Sequence, residues 1–261
     1  MTLDRRSLIG AGFGLGAAAT AARATDSPSS PRMDAANASA ISPNLVPDDN
    51  RDQTAALQAA IDTAAEKDIP LVLPPGKFIV SDLRLRAGTR HIGTARTTTL
   101  AFAGGAAFVT ADKADGLVLD GLTLEGAYKA FDVSRGDGLI TITRCKHVCL
   151  VDLDIRNSVG NGLSLVECAG RINGISISSA LDAGLKSLDS KGLDISGNTV
   201  TDCGNNGILV WRSHAEEDGT VISGNRISKI RNAAGGTGEY GSAPAAFSSP
   251  ASAFPIAATQ P

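Results

Sequence analysis

Two carboxylates and a guanidinium recur late in the chain at nearly even spacing: Glu167, Asp189 and Arg212 lie 22 and 23 residues apart. If a repeat of that length stacks them, an acid and a base can work together while the arginine neutralises an anionic group beside them. That is the equipment for hydrolysing, eliminating across or epimerising a sugar ring. Lys186 and Trp211 fall on neighbouring stretches, Asp182 and Asp202 in the intervening turns, and an indole can stack on a sugar face. The candidate site is therefore Asp189, Glu167 and Arg212 for catalysis, with Trp211, Lys186, Asp182 and Asp202 holding substrate. The competing explanation is that outward charges on a regular repeat serve only solubility.

The repeat itself is legible. Leu153-Asp154-Ile155, Ile175-Ser176-Ile177, Asn198-Thr199-Val200 and Asn225-Arg226-Ile227 end 22, 23 and 27 positions apart, and Gly162, Gly184 and Gly207 keep step at 22 and 23. A unit this short cannot bury its apolar face alone, so successive units must stack. Runs such as Gly162-Leu163-Ser164-Leu165 and Gly207-Ile208-Leu209-Val210 alternate with period two, which predicts strands. A leucine-rich repeat would need a helical return, and no helical stripe appears between residues 100 and 230. The fold expected is all-β, a right-handed parallel β-helix, in which residues at equal register form ladders at roughly 4.8 Å spacing. Asn198 and Asn225 are predicted to form such a ladder, and Gly160, Gly162, Gly204 and Gly207 to supply positive φ at the turns.

Upstream, the segment from Asp52 to Ile61 places Ala56, Leu57, Ala60 and Ile61 on one helical face, with Asp52 and Thr54 placed to cap its start. It breaks at Lys67-Asp68-Ile69-Pro70, and Leu71-Val72-Leu73 and Phe78-Ile79-Val80 follow as strands around Pro74-Pro75-Gly76-Lys77. Such a helix would cover the open end of the stack. The stretch from Asp52 to Val80 resembles the N-terminal cap of pectate-lyase-like β-helix proteins. With Arg5-Arg6 ahead of Gly-Asn repeats, the chain over roughly residues 1 to 241 is similar to a bacterial family of twin-arginine-translocated uncharacterized repeat proteins. The resemblance implies fold and export, and no catalytic residue, because that family has no established activity.

Asp4-Arg5-Arg6-Ser7 leads a weakly apolar Gly/Ala run to Ala22-Arg23-Ala24, which reads as a twin-arginine (Tat) signal peptide over residues 1–24. The run is too short and glycine-rich for a membrane span, and Gly10-Ala11-Gly12-Phe13-Gly14 follows no strand and is not a dinucleotide fingerprint. Cleavage would remove Arg5, Arg6, Arg23 and Asp4 and take the net charge from −3 to −5, a poor balance for nucleic-acid binding. Residues 25–47 read as a flexible leader, 48–241 as the β-helix, and 242–261 as an Ala/Ser/Pro tail without strand pattern, a possible sign of truncation or frameshift. One Trp and two Tyr leave an aliphatic core.

Cys145 and Cys168 lie one repeat apart and suit either a disulfide or stacked free thiols. Cys145, His147 and Cys149 alternate along a run, yet match no common zinc spacing, so no metal or other cofactor is expected; His91 and His214 read as lone surface histidines. No Gly-x-Ser-x-Gly, Walker loop or His-Glu-x-x-His occurs. The expectation is a periplasmic or secreted β-helix that binds or processes a polysaccharide, as a lyase, hydrolase or epimerase if an enzyme. Its partners would be that polysaccharide and, during export, the Tat translocase, with no nucleic acid and no integral membrane segment in the mature chain. The alternatives are a structural or envelope-assembly module, or a truncated fragment.

Overall fold

The computed structural model describes residues 40–231 and 242–248. Among the described residues a single helix, α1 (Thr54–Lys67), precedes seven coils of three strands each. They are β1 (Leu71–Val72), β2 (Gly76–Val80) and β3 (Leu83–Arg84); β4 (Arg90–Ile92), β5 (Thr98–Phe102) and β6 (Val109–Asp112); β7 (Val118–Asp120), β8 (Thr123–Glu125) and β9 (Gly138–Thr143). Next come β10 (Val148–Val151), β11 (Asp154–Arg156) and β12 (Asn161–Val166); then β13 (Gly170–Asn173), β14 (Ser176–Ser178) and β15 (Leu185–Leu188). The last are β16 (Leu193–Ser196), β17 (Thr199–Thr201) and β18 (Asn206–Arg212), then β19 (Val221–Ser223), β20 (Arg226–Ser228) and β21 (Ser242–Ser248). Every third strand pairs in parallel, giving three seven-stranded sheets in a right-handed β-helix.

Alternation puts one side chain in two inside, and equal registers stack. Leu71, His91, Leu119, Leu150, Ile172 and Ile195 form one interior ladder. Phe78, Leu100, Leu124, Ile155, Ile177 and Val200 form a second. Each such residue is almost fully buried, worth roughly 1.5–3 kcal/mol per large aliphatic side chain. In the last coil the first ladder ends on Ile222, 37% exposed, where Ile195 one coil earlier is wholly buried.

At the other end α1 presses Leu57, Ile61 and Ala64 onto the first coil. Asp52 Oδ1 accepts the Thr54 amide at 2.8 Å, and Asp68 closes the helix in the left-handed region. Gln58 exchanges two hydrogen bonds with the backbone of Arg84, which ties β3 to the helix. No helix of the described residues is long and apolar enough to cross a membrane.

The turns are built differently from the expectation. Gly160, Gly162, Gly204 and Gly207 do not have positive φ; the left-handed corners fall instead on residues such as Lys113, Arg144, Glu167 and Asp189. Gly162 and Gly184 are needed for space, because a Cβ on Gly184 would lie 2.4 Å from Val200 Cγ1 and 2.8 Å from Gly207 O. The asparagine ladder is present: Asn198 Nδ2 donates to Asn225 Oδ1 at 2.9 Å and also to Ile172 O, while Asn198 Oδ1 accepts the Ile175 amide. Buried backbone groups at the corner are thereby satisfied.

Three further segments depart from the sequence reading. Residues 40–47, expected in a flexible leader, are held down: the Ile41 amide donates to Pro70 O, the Val72 amide to Ile41 O, and Gln53 bonds both ways with Val46. Residues 242–248, expected in a structureless tail, pair with β18 as β21. The repeat lengthens in mid-chain, with Leu124 and its partner Ile155 separated by 31 positions against 22 for Ile155 and Ile177; the surplus is a loop over residues 126–137. The proposed signal peptide, residues 1–24, lies outside the described residues.

Candidate functional site

Glu167, Asp189 and Arg212 do share one register, following the paired Val166, Leu188 and Trp211. They occupy the corner that leaves the third sheet, where the Glu167 amide donates to Leu188 O and the Asp189 amide to Trp211 O. Stacking at the corner does not aim them at a common point. Glu167 is exposed. Asp189 accepts the Ser213 amide and hydroxyl, both at 2.7 Å. Partial withdrawal from water would raise its carboxyl, but those two bonds, with the Arg212 charge, hold it below the usual carboxylate range. Arg212 is only 6% exposed; its guanidinium donates to Ser190 O at 3.2 Å and to Glu216 Oε2 at 2.7 Å. It braces a corner and does not face solvent with the two acids.

The holding residues divide likewise. Asp182 accepts from Asn205 Nδ2 at 2.9 Å. Asp202 accepts from Ser179 and pairs with Arg231 at 3.2 Å. Both lie between the second and third sheets, at the opposite edge of the third sheet from Glu167 and Asp189. Lys186 points outward from β15 and pairs with Asp137 of the 126–137 loop. Burial would raise the Asp137 carboxyl, but the Lys186 ammonium and Ser164 hydroxyl hold it below the usual range.

Trp211 stands on the outer face of β18, 42% exposed. Its register continues through Leu188 and Val166, and Leu209 flanks it on the same face. Earlier coils put Asp112, Thr143, Thr110 and Thr141 in those two columns. Ser164 and Lys186 continue the Leu209 column, so only the Trp211 column turns apolar along the axis, through Val166 and Leu188 to the exposed indole, with β21 pairing beyond it.

Across the middle of that face lies the 126–137 loop. Asp137 O accepts both the amide and the side-chain amide of Asn161, and the Asp132 amide donates to Ala106 O. The loop covers Thr141 closely, with room only for glycine at Gly136. On the N-terminal side of the loop, the face forms an open cleft of about 630 Å³. Arg84, Arg86, Lys113 and Arg135 line it together with Asp82 and Asp112.

Sequence reasoning missed this cleft. One signal was available: Asp82-Leu83-Arg84-Leu85-Arg86 alternates charge with leucine, which sends its charged side chains outward together. Arg135 could not be placed because it rides on the inserted loop.

The histidines and cysteines were also redistributed. His91 was expected on the surface and is instead an interior rung, 2% exposed. Nearly complete burial pulls its imidazole down to about 4. Cys145, Cys168 and Cys203 are buried free thiols, and burial pushes Cys168 up to about 11. His147 is exposed at a left-handed corner, away from buried Cys145. Among the described residues no three His, Cys, Asp or Glu side chains gather as metal ligands.

No family model matches the chain, and no curated protein matches it. Several solved structures do. ORF18 of Geobacillus virus E2 is 13% identical with a TM-score of 0.57, over 79% of this chain and 48% of that one. Gene product 12 of bacteriophage phi29 is 18% identical with a TM-score of 0.53, over 73% of this chain and 30% of that one. A Parabacteroides merdae protein described as a candidate glycosyl hydrolase is 12% identical with a TM-score of 0.50, over 73% of this chain and 96% of that one. The chain therefore spans less than half the length of the two viral proteins. At these identities the likeness establishes the fold.

Proposed function

We propose that this protein binds an extended polysaccharide along the outer face of its third sheet, with Trp211 as the platform on which a sugar ring stacks. The observation that carries the reading is the exposed indole on β18, set among outward Leu188, Leu209 and Val166, where the preceding coils present threonine and aspartate. A flat aromatic beside aliphatic neighbours suits the apolar face of a pyranose, and the half-exposed Thr110 and Thr143 upstream suit its hydroxyls. The hydrolase description of the Parabacteroides merdae protein of the same fold supports a glycan ligand. Binding is favoured over processing because Arg212 is turned inward and Asp189 is held by Ser213, which leaves Glu167 as the exposed member of the three. The Arg5-Arg6 segment supports the finer reading that the protein works in the periplasm or outside the cell, as a twin-arginine-translocated repeat protein.

The test is affinity electrophoresis of the mature protein in gels cast with a panel of neutral and acidic polysaccharides. Retardation by at least one glycan, lost in Trp211→Ala at unchanged thermal stability, is the result expected. Equal mobility in every gel would overturn the reading.

A further inference from the structure

The cleft at the N-terminal end of the same face has an unbalanced charge. Asp82 and Asp112 both already have partners: Asp82 Oδ1 accepts the Ala107 amide at 2.8 Å, and Asp112 Oδ1 lies 2.6 Å from the Arg144 guanidinium. Arg86 has one distant carboxylate, Asp62, at 3.7 Å. Arg84, Lys113 and Arg135 have no carboxylate within ion-pairing distance among the described residues. Four cations, Arg84, Arg86, Lys113 and Arg135, against two carboxylates leave the lining with an excess of two positive charges, in a chain whose net charge is −3. A concave wall with an excess of one sign focuses the field and favours ligands of the other.

The placement is built. Arg84 sits on β3, whose backbone Gln58 fastens to α1; Lys113 stands at the left-handed corner after β6; Arg135 is carried by the loop that walls the cleft. The volume of about 630 Å³ lies in the range of ligand sites, roughly 300–1,000 Å³. Forked guanidiniums on two sides suit planar carboxylates in bidentate geometry. No aromatic side chain lines the cleft, so it offers no ring on which a nucleobase would stack.

We infer that this cleft binds the carboxylate groups of uronic-acid residues, so that the glycan lying along the third sheet is an acidic one. The inference rests on the polysaccharide reading and adds the charge class of the ligand. Five coil steps separate β3, which carries Arg84, from β18, which carries Trp211, about 24 Å at the usual strand spacing. A chain of several sugars that passes over the 126–137 loop therefore spans the distance between the cationic cleft and the indole.

The experiment compares, by calorimetry on the full mature protein, a polygalacturonate oligosaccharide with the same oligosaccharide after reduction of its carboxyl groups to alcohols. The acidic form is expected to bind about tenfold more tightly. In the double variant Arg84→Gln, Arg135→Gln the two affinities should come together, while melting temperature stays put because both side chains are exposed. Equal binding of both forms by the native protein, still weakened by Trp211→Ala, would overturn the cleft inference and leave the polysaccharide reading standing. Binding of neither form, together with failure across the electrophoresis panel, would remove both. Tighter binding of single-stranded DNA of equal charge, lost in the double variant, would reassign the cleft to phosphate and overturn the uronate inference.

Discussion

Replacing His91 by leucine should change how stability depends on pH, and the size of the effect follows from its surroundings. His91 occupies a rung between Leu71 and Leu119 and borders a void of about 20 Å³ otherwise lined by Leu57, Ile61, Leu73, Leu83 and similar aliphatics. Its Nε2 lies 3.0 Å from Thr89 Oγ1, and that hydroxyl donates to Arg86 O at 2.6 Å. The threonine proton is spent, so Nε2–H donates and Nδ1 is the bare nitrogen. Protonation would place a charge in the aliphatic interior, and burial accordingly pulls the imidazole from its ordinary 6.5 to about 4.

The sign follows. Because the folded value is the lower one, the unfolded chain binds the proton first; the stabilisation is complete above 6.5 and is lost as pH falls from there to about 4. At roughly 1.4 kcal/mol per tenfold, the full loss is about 3 kcal/mol, a large share of an ordinary domain's stability. Urea unfolding of the native protein and His91→Leu at pH 7.5, 6 and 5 should show the variant gaining about 2 kcal/mol on the native protein by pH 5. At pH 7.5 the two should differ by less than about 1.5 kcal/mol, as for a near volume-conserving swap. A difference that stays constant over this range, or a His91 ring proton that titrates near 6.5 by NMR, would refute the reasoning.

Two other outcomes are expected. Gly184→Ala should lower stability by several kcal/mol, since the new Cβ meets Val200 and the backbone oxygen of Gly207, whereas Gly192→Ala, with nothing within 4 Å and φ of +65°, should cost only about 1–2 kcal/mol by backbone strain; calorimetric melting ranks the two, and equal losses would contradict the close-packed coil contact. Iodoacetamide at pH 8 should label half-exposed Cys149 first and leave Cys145, Cys168 and Cys203 unmodified until urea unfolds the coils, as read by peptide mass spectrometry; early labelling of Cys168 would contradict its burial.

Much of this architecture is written in local pattern. The period of 22 to 23 residues, the alternation within Gly162-Leu163-Ser164-Leu165 and the paired Asn198 and Asn225 dictate strands, coils and an amide ladder, because a stacked repeat converts equal sequence spacing into vertical contact. The capping helix was equally legible from Leu57 and Ile61 one turn apart. Register, too, could be counted: Glu167, Asp189 and Arg212 do lie above one another.

What each side chain faces could not be counted. Glu167 and Asp189 stand at left-handed corners, where the period-two rule lapses, whereas Arg212 is still in β18 and alternation past outward Trp211 turns it inward onto Ser190 and Glu216. His91 looked polar in sequence but falls on an interior rung, since parity outranks residue type once the strand is paired on both sides. The cleft needed more still. Arg84, Lys113 and Arg135 are 29 and 22 positions apart on a strand, a corner and an inserted loop. Only the closure of that loop over the third sheet brings their charges to one concave surface, since spacing along the chain sets which coil a residue joins and the path of the loop sets which space it lines.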